Sequence, residues 1–178
     1  ERMGVWCYDR DILTIAAERI GNEELTEDTI NDLNYKRNDV ASAGITGVMG
    51  MGNIPIYNQM FLEQAKIIRK LANYGSAVFL GRCADYILKD IKNCTSVYLY
   101  ADREFRKNRV KEIYGSNAEI MDKEEKNRAD YYNYYTGNRW GDINNYDFAI
   151  NTSKVSFEEA ADLIYRFAKD KQKNLKDR

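Results

Sequence analysis

The sequence predicts a three-layer α/β/α sandwich built around a parallel sheet. Three short apolar runs, at 77–80, 96–100 and 148–151, have the length and composition of strands, and segments of helical periodicity alternate with them. Short apolar runs without polar alternation are typical of strands that are buried on both faces. Strands that alternate with helices are typical of a parallel sheet covered by helices on both sides.

Length and charge limit the classes of protein to which the chain can belong. Its 178 residues, 44% of them apolar, predict a single domain spanning 1–178 with a substantial core. The 27 basic and 28 acidic residues nearly balance, so no overall field draws the chain to nucleic acid or to a membrane. No apolar run approaches the roughly 18 residues of a membrane helix, and we expect a cytoplasmic protein. Nothing in the sequence predicts an oligomeric state.

The residues available for chemistry are restricted as well. The sequence has no histidine, which excludes Ser-His and Cys-His catalysis and the usual zinc enzymes. Cys7, Cys83 and Cys94 are scattered and form no C-x-x-C motif. This pattern predicts reduced thiols, each buried and inert, rather than a disulfide scaffold.

The first third of the chain predicts a strand that ends at Tyr8, followed by a helix that Asp9 caps and Gly21 ends. Thr26 can cap a second helix. The glycine-rich segment at about 36–56 predicts a mobile flap. Phosphate binding there is a lesser alternative, because no strand precedes the glycines and no lysine follows them.

The centre of the chain contains the residues around which we expect the site to form. Pro55 precedes a helix that extends to about residue 74, and the strand at 77–80 then ends at Gly81. Arg82 and Asp85 follow at the carboxyl end of this strand, where open α/β sheets bind ligands. Arginine can hold a phosphate with a two-pronged fork. The alternative is an ordinary turn with a surface ion pair.

Arginines recur after the next predicted strand. Asp102 can cap a helix that carries Arg103, Arg106 and Arg109 at three-residue spacing, and Arg128 lies on the following helix. Such a row usually faces solvent. Arginines that converge with Arg82 would instead suit phosphoryl transfer, because they neutralise charge on the moving group, and the region at about 103–137 could close as a lid. Asp9 and Asp85 are the acids best placed to orient an acceptor or to hold a magnesium-bound water.

The last third predicts a strand and a long amphipathic helix. Capping boxes at 116–119 and 156–159 open two helices, and residues 169–178 form a charged, frayed tail. Tyrosines at 131–135 form an aromatic cluster beside Arg128. Stacking on single-stranded nucleic acid is one interpretation of the cluster, but bracing of the lid against the sheet is the stronger one.

These motifs together resemble those of the cytidylate kinase-like family, whose members are related to the nucleoside-monophosphate kinases of the phosphate-loop fold. The resemblance covers essentially the whole chain. The segments that carry it are 8–12, 81–86, the arginine-rich lid around Arg106 and Arg109, 127–132, 136–137, 140–142, 145–147 and 150–152. It implies a kinase-type sandwich with a helical lid.

The resemblance also implies a reaction and a role for each matched residue. The reaction would be Mg²⁺-dependent transfer of the γ-phosphoryl group of ATP to a small nucleotide such as cytidine monophosphate. Arg82 would bind the acceptor phosphate, Asp85 would place its base or sugar, and Asp9 would lie near that phosphate. From the lid, the phosphates would be contacted by Arg106, Arg109 and Arg128.

One part of the family pattern is missing from the printed sequence. Family members carry a glycine-rich phosphate loop just upstream of the residues that correspond to Tyr8 and Asp9. We expect this loop to lie upstream of Glu1, which would make the chain part of an active nucleotide kinase. The alternative is a non-catalytic nucleotide-binding or regulatory protein on a kinase scaffold.

Overall fold

The computed structural model describes residues 4–21, 55–115 and 118–176. This part of the chain has a mixed α/β fold in which strands alternate with helices. The strands are β1 (Trp6–Tyr8), β2 (Ala77–Phe79), β3 (Val97–Tyr100) and β4 (Phe148–Asn151). The helices are α1 (Asp11–Ile20), α2 (Ile56–Tyr74), α3 (Ala84–Ile87), α4 (Arg103–Tyr114), α5 (Ala118–Thr136) and α6 (Phe157–Lys176), with a 3₁₀ turn at Ile143–Asn145.

The four strands form two parallel pairs. Strand β1 pairs with β2, and Cys7 lies opposite Val78 in their register. Strand β3 pairs with β4, and Leu99 lies opposite Ile150. Parallel pairing was predicted and is confirmed within each pair. The single continuous sheet that the sequence predicts is not formed by the described residues, which make two separate two-stranded sheets.

A gap separates the two pairs. The Leu80 N–H donates to the Tyr8 carbonyl, and the Thr152 N–H donates to the Tyr100 carbonyl. Backbone N–H and C=O groups alternate in direction along a strand. Those of Phe79 therefore point away from β1, and those of Leu99 point away from β4. Within the described ranges no strand pairs with those edges, and residues of both strands line one cavity.

The gap explains why one expectation was wrong. Strands β2 and β3 were predicted to be buried on both faces, but Val78 is 38%, Leu80 48% and Leu99 53% exposed. Their apolar side chains flank an edge that lacks a paired strand in this part of the structure. Parallel strands normally lie inside a sheet and are covered on both faces, so it is unusual for such an edge to expose apolar side chains.

The core lies between α1, α2, α3 and the end of α5. The apolar stripe predicted for α1 is confirmed, since Ile12 and Leu13 are buried against α2. Gly21 ends that helix in the left-handed conformation, with φ of 64°, and its N–H donates to the Ala17 carbonyl. The predicted helix after Pro55 is confirmed as α2. None of the described helices has the length and apolar content required to cross a bilayer.

The helix caps agree only in part with the sequence. The capping box of α6 is confirmed, because the Ser156 N–H donates to Glu159 Oε2 over 2.8 Å and the Glu159 N–H donates to Ser156 Oγ over 3.2 Å. The cap predicted for Asp9 is wrong, because Asp9 precedes the N-cap residue of α1 and approaches Arg82. Asp102 is the N-cap residue of α4, as predicted, but its side chain accepts hydrogen bonds from Asn151 and Lys154 and makes no capping bond to the helix. The predictions for Thr26, 36–56 and the box at 116–119 concern segments wholly or partly outside the described residues.

The C-terminal segment is more ordered than predicted. Helix α6 continues to Lys176, although residues 169–178 were expected to fray. Lys171 anchors it, because its Nζ donates to the Cys94 carbonyl over 2.6 Å and to Asp147 Oδ2 over 2.8 Å.

The three thiols are free, as predicted, but they are not equally buried. Cys83 is buried, Cys94 is half-buried and Cys7 is exposed. The prediction of burial is therefore confirmed for Cys83 and wrong for Cys7. Cys7 lies on β1 at the level of Val78, which is also partly exposed.

Candidate functional site

A tight left-handed turn joins β2 to α3 and positions the candidate site. Gly81, Arg82 and Cys83 have φ values of 67°, 59° and 54°. Glycine adopts this conformation freely, whereas each of the other two residues is strained by about 1–2 kcal/mol. The turn is closed by the Ala84 N–H, which donates to the Gly81 carbonyl over 3.0 Å. Strain of this kind clusters at functional sites.

The turn buries the side chain of Arg82. Arg82 is only 3% exposed, which is unusual for an arginine. Its Nη2 lies 3.8 Å from Oδ1 of Asp9, and the Asp9 side chain is 52% exposed. The two residues follow the adjacent strands β2 and β1, so the parallel pairing brings them together at the carboxyl edge. A buried guanidinium at this edge gives the site a fixed positive charge, which favours an anionic ligand.

A cavity of about 830 Å³ lies above and between the two strand pairs. Arg82 and Asp9 contribute to its wall from the ends of β2 and β1. Arg128 contributes from α5, and Asp85 from α3. Two cationic and two acidic side chains from four segments therefore surround one concave space, an arrangement that suits a small ligand with an anionic group and polar substituents.

Tyrosines form the wall next to Asp85. The Tyr132 hydroxyl donates to Asp85 Oδ2 over 2.6 Å. The ring of Tyr146 stacks on that of Tyr98, with centroids 5.0 Å apart, and Trp140 meets Tyr98 edge-on. All four aromatic residues line the cavity. They join the end of α5 to β3 and to the segment before β4.

Burial governs the protonation of this wall. The pKa of Asp85 is raised chiefly because burial disfavours the charged carboxylate, and the hydrogen bond from Tyr132 opposes that rise. Burial likewise raises the pKa of Tyr132 and Tyr146 above the usual range for tyrosine. The pKa of the Cys83 thiol is raised mainly by burial and also by Asp85, so Cys83 is not an activated nucleophile.

The arginines of α4 make contacts outside the cavity wall. Arg103 pairs with Asp122, and Arg106 Nη1 pairs with Glu125 Oε2, so two ion pairs connect α4 to α5. The guanidinium of Arg109 lies 4.2 Å from the ring centroid of Phe157. A charged group stacked on an aromatic ring or paired with an acid is stabilised where it is.

The described residues fit an acceptor phosphate better than they fit the other implied groups. The buried guanidinium of Arg82 and the nearby Arg128 have the chemistry to hold a phosphate. No group of three or more acidic or cysteine side chains in the described residues could hold a metal ion. The same residues contain no glycine-rich loop followed by lysine. By themselves the described residues therefore do not fit Mg²⁺ or the triphosphate of ATP.

A sequence model of the cytidylate kinase-like family matches residues 1–154, which is most of the chain. The protein belongs to the cytidylate kinase-like family. Membership confirms the resemblance on which the sequence interpretation depended, and it indicates a function related to that of nucleotide kinases. None of the curated proteins compared with this family member matches it significantly.

A solved structure supports the same fold for this family member. The chain is similar to the crystal structure of an uncharacterized protein from Eubacterium ventriosum ATCC 27560, with 26% sequence identity and a TM-score of 0.67. The similarity covers 95% of this chain and 86% of the other. It supports the mixed α/β architecture.

The structure brings together four of the six residues that the sequence nominated. Asp9, Arg82, Asp85 and Arg128 line the cavity, whereas Arg106 and Arg109 lie on α4 outside its wall. The catalytic and binding roles of all six stay predictions. The sequence did not predict that Tyr132 and Tyr146 line the cavity, or that Glu125 pairs with Arg106 outside it. The tyrosine cluster was the available signal for the first two, but its contact with Asp85 depends on tertiary packing.

Proposed function

We propose that the protein is a nucleotide kinase, in which the described residues bind the acceptor and form the lid. The donor would be ATP with Mg²⁺, and the acceptor a small nucleotide that resembles cytidine monophosphate. The observation that carries the proposal is the buried guanidinium of Arg82 beside Asp9 at the carboxyl edge of β2. Family membership supports the reaction class.

Arg82 would hold the phosphate of the acceptor. Its side chain is fixed by burial, so little side-chain entropy is lost when a phosphate binds. Charge-assisted hydrogen bonds from a guanidinium to phosphate are strong and bidentate. Arg128 lines the same cavity and would add a second cation. Asp85 would accept hydrogen bonds from the base or sugar at the other end of the acceptor.

Helices α4 and α5 would act as the lid. Arg106 is held by Glu125 and Arg109 by Phe157 in the present arrangement, so closure would require these contacts to be exchanged for contacts with phosphates. Both contacts are partly exposed to solvent, and exchanges of this kind cost little. Arg106 and Arg109 would therefore join Arg82 and Arg128 around the phosphates only when a ligand is bound.

The gap between β2 and β3 supports a further part of the proposal, namely that an additional parallel strand lies there and presents the phosphate loop. The backbone groups of Phe79 and Leu99 face the gap, and Val78 and Leu99 expose apolar surface beside it. Residues of β2 and β3 line the same cavity of about 830 Å³, which lies where such a strand would run. A loop at the carboxyl end of that strand would face Arg82.

Hydrogen–deuterium exchange on the protein with its natural upstream sequence tests this strand. The Phe79 and Leu99 amides, which face the gap, are expected to exchange as slowly as those of Leu80 and Tyr100, which face their partner strands, because a filled gap hydrogen-bonds both edges. The four amides are a matched set, two on each strand. Fast exchange confined to Phe79 and Leu99 would contradict the additional strand.

A direct assay tests the reaction itself. The same protein with ATP, Mg²⁺ and a panel of nucleoside monophosphates is expected to form a nucleoside diphosphate, with cytidine monophosphate among the best acceptors. Product is measured by chromatography, and each acceptor omitted in turn is the control. If nucleotides bind with no turnover of any of them, the non-catalytic alternative is correct.

A further inference from the structure

The carboxylate of Asp85 is held by a neighbouring tyrosine that neither the family resemblance nor the sequence motifs assign to the site. The Tyr132 hydroxyl donates to Asp85 Oδ2 over 2.6 Å. Tyr132 is only 5% exposed, and both residues line the cavity. This short hydrogen bond fixes one oxygen of the carboxylate and so sets the direction of the group.

A second tyrosine lies close to the first. Tyr146 and Tyr132 are near enough to influence each other's pKa, and both line the cavity. The Tyr146 ring is in turn stacked on Tyr98, with centroids 5.0 Å apart. Packed aromatic side chains therefore connect Tyr132 to β3.

The backbone around Tyr132 is also fixed. Thr136 is buried, and its hydroxyl donates to the Tyr132 carbonyl over 2.7 Å. Thr136 Oγ1 also accepts the Asn138 N–H over 3.0 Å, and Asn133 Oδ1 accepts the Trp140 N–H over 2.6 Å. These bonds close the C-terminal end of α5. The backbone from which the Tyr132 side chain extends is therefore held in place by the fold.

We propose that Tyr132 is a positioning residue, which orients the Asp85 carboxylate and keeps it charged so that it can accept hydrogen bonds from the base or sugar of the acceptor. The proposal rests on the nucleotide-binding role proposed above for the cavity. Tyr132 donates a hydrogen bond to Asp85 and does not need to contact the acceptor itself.

The charge of Asp85 depends on groups from several elements. Burial favours the neutral acid, and the hydroxyl of Tyr132 together with the backbone N–H groups of Asp85 and Tyr86 favours the carboxylate. Other titratable or charged groups surround it. They are Arg82 and Cys83 from the preceding turn, Cys94 from the segment before β3, Tyr98 from β3, Arg128 from α5 and Tyr146 from the segment before β4.

Nuclear magnetic resonance of the Asp85 carboxyl carbon tests the proposal without any turnover. In Tyr132→Phe the pKa of Asp85 is expected to rise by about one to two pH units, because a hydrogen bond to the charged form is lost. Tyr146→Phe should raise it less, since the bond from Tyr132 is kept. Asp85→Asn assigns the resonance. An unchanged pKa in Tyr132→Phe overturns the proposal.

Binding of cytidine monophosphate by calorimetry supplies the second measurement. Affinity for Tyr132→Phe is expected to fall about tenfold at the acid end of a pH series, and the difference should shrink as the pH is raised and Asp85 ionises in both proteins. In an Asp85→Asn background Tyr132→Phe should have no further effect. Equal affinity of the single variant and the parent throughout the pH series overturns the positioning role.

Tyr135→Phe is the matched control. Tyr135 lies one turn further along α5, its hydroxyl donates to Asn58 over 3.2 Å, and it is not part of the cavity wall. The same substitution there should move neither the Asp85 pKa nor the affinity. If cytidine monophosphate fails to bind the unaltered protein at any pH, the proposed function fails, while the carboxyl resonance still decides whether Tyr132 holds Asp85 in its charged form.

Discussion

Arg82→Ala is expected to raise the KM for the acceptor nucleotide about 100-fold with the fold intact. A guanidinium that grips a phosphate with two charge-assisted hydrogen bonds contributes about 3 kcal/mol, which corresponds to about two powers of ten in affinity. The fold should survive because the partner, Asp9, is half-exposed and stays hydrated when Arg82 is removed. Steady-state kinetics with varied acceptor gives the KM, and far-UV circular dichroism checks the fold.

Two further variants separate charge from geometry. Arg82→Lys keeps a positive charge but loses the planar fork, so it should fall between the parent and Arg82→Ala, at about tenfold. Arg69→Ala removes an exposed arginine on α2 and should leave KM within about twofold. A lost far-UV spectrum in Arg82→Ala would assign Arg82 a structural role. A native spectrum with an unchanged KM would mean that the acceptor phosphate does not bind at Arg82.

The sequence predicted the local elements of this site better than their assembly. The turn at Gly81 and the position of Arg82 after β2 follow from an apolar run that ends at a glycine. The left-handed conformation of both Arg82 and Cys83 has no such local signal, because neither residue type favours it. Only the tertiary burial of their side chains compensates for the strain.

The row of arginines shows a second limit of local patterns. Three-residue spacing places Arg103, Arg106 and Arg109 near one face of α4, as predicted, but it does not say what that face meets. Asp122 and Glu125 on α5 take the first two, and Phe157 takes the third. Partners from other elements decide these contacts, so a periodic pattern alone could not separate a lid surface from the cavity wall.

Asp9 and Lys171 were misjudged for a related reason. An aspartate before a helix is a common cap, yet parallel pairing of β1 with β2 places Asp9 beside Arg82. A charged C-terminal segment usually frays, yet Lys171 reaches the Cys94 carbonyl and Asp147. In both cases one long-range ionic contact overrides a local tendency that is worth only about 1 kcal/mol.

Ile68→Ala is expected to lower the free energy of unfolding by about 3–4 kcal/mol. Ile68 lies on α2 and is fully buried in the core cluster that α1 and α2 share with the end of α5. Truncation removes three buried carbon atoms and leaves a void, and losses of this size are typical of isoleucine in a close-packed core. Urea denaturation followed by circular dichroism measures the change, with the slope of the transition checked for constancy.

Matched substitutions on the same helix show whether packing is the cause. Ile68→Val removes one methylene group and should cost about 1 kcal/mol. Leu62→Ala acts at a side chain that is 48% exposed and should cost less than about 1 kcal/mol. Since α2 leads directly into β2 and the turn at Arg82, a loss below about 1.5 kcal/mol in Ile68→Ala would mean that this core does not support the site. If burial on α2 is the cause, the loss of free energy of unfolding decreases in the order Ile68→Ala, Ile68→Val, Leu62→Ala.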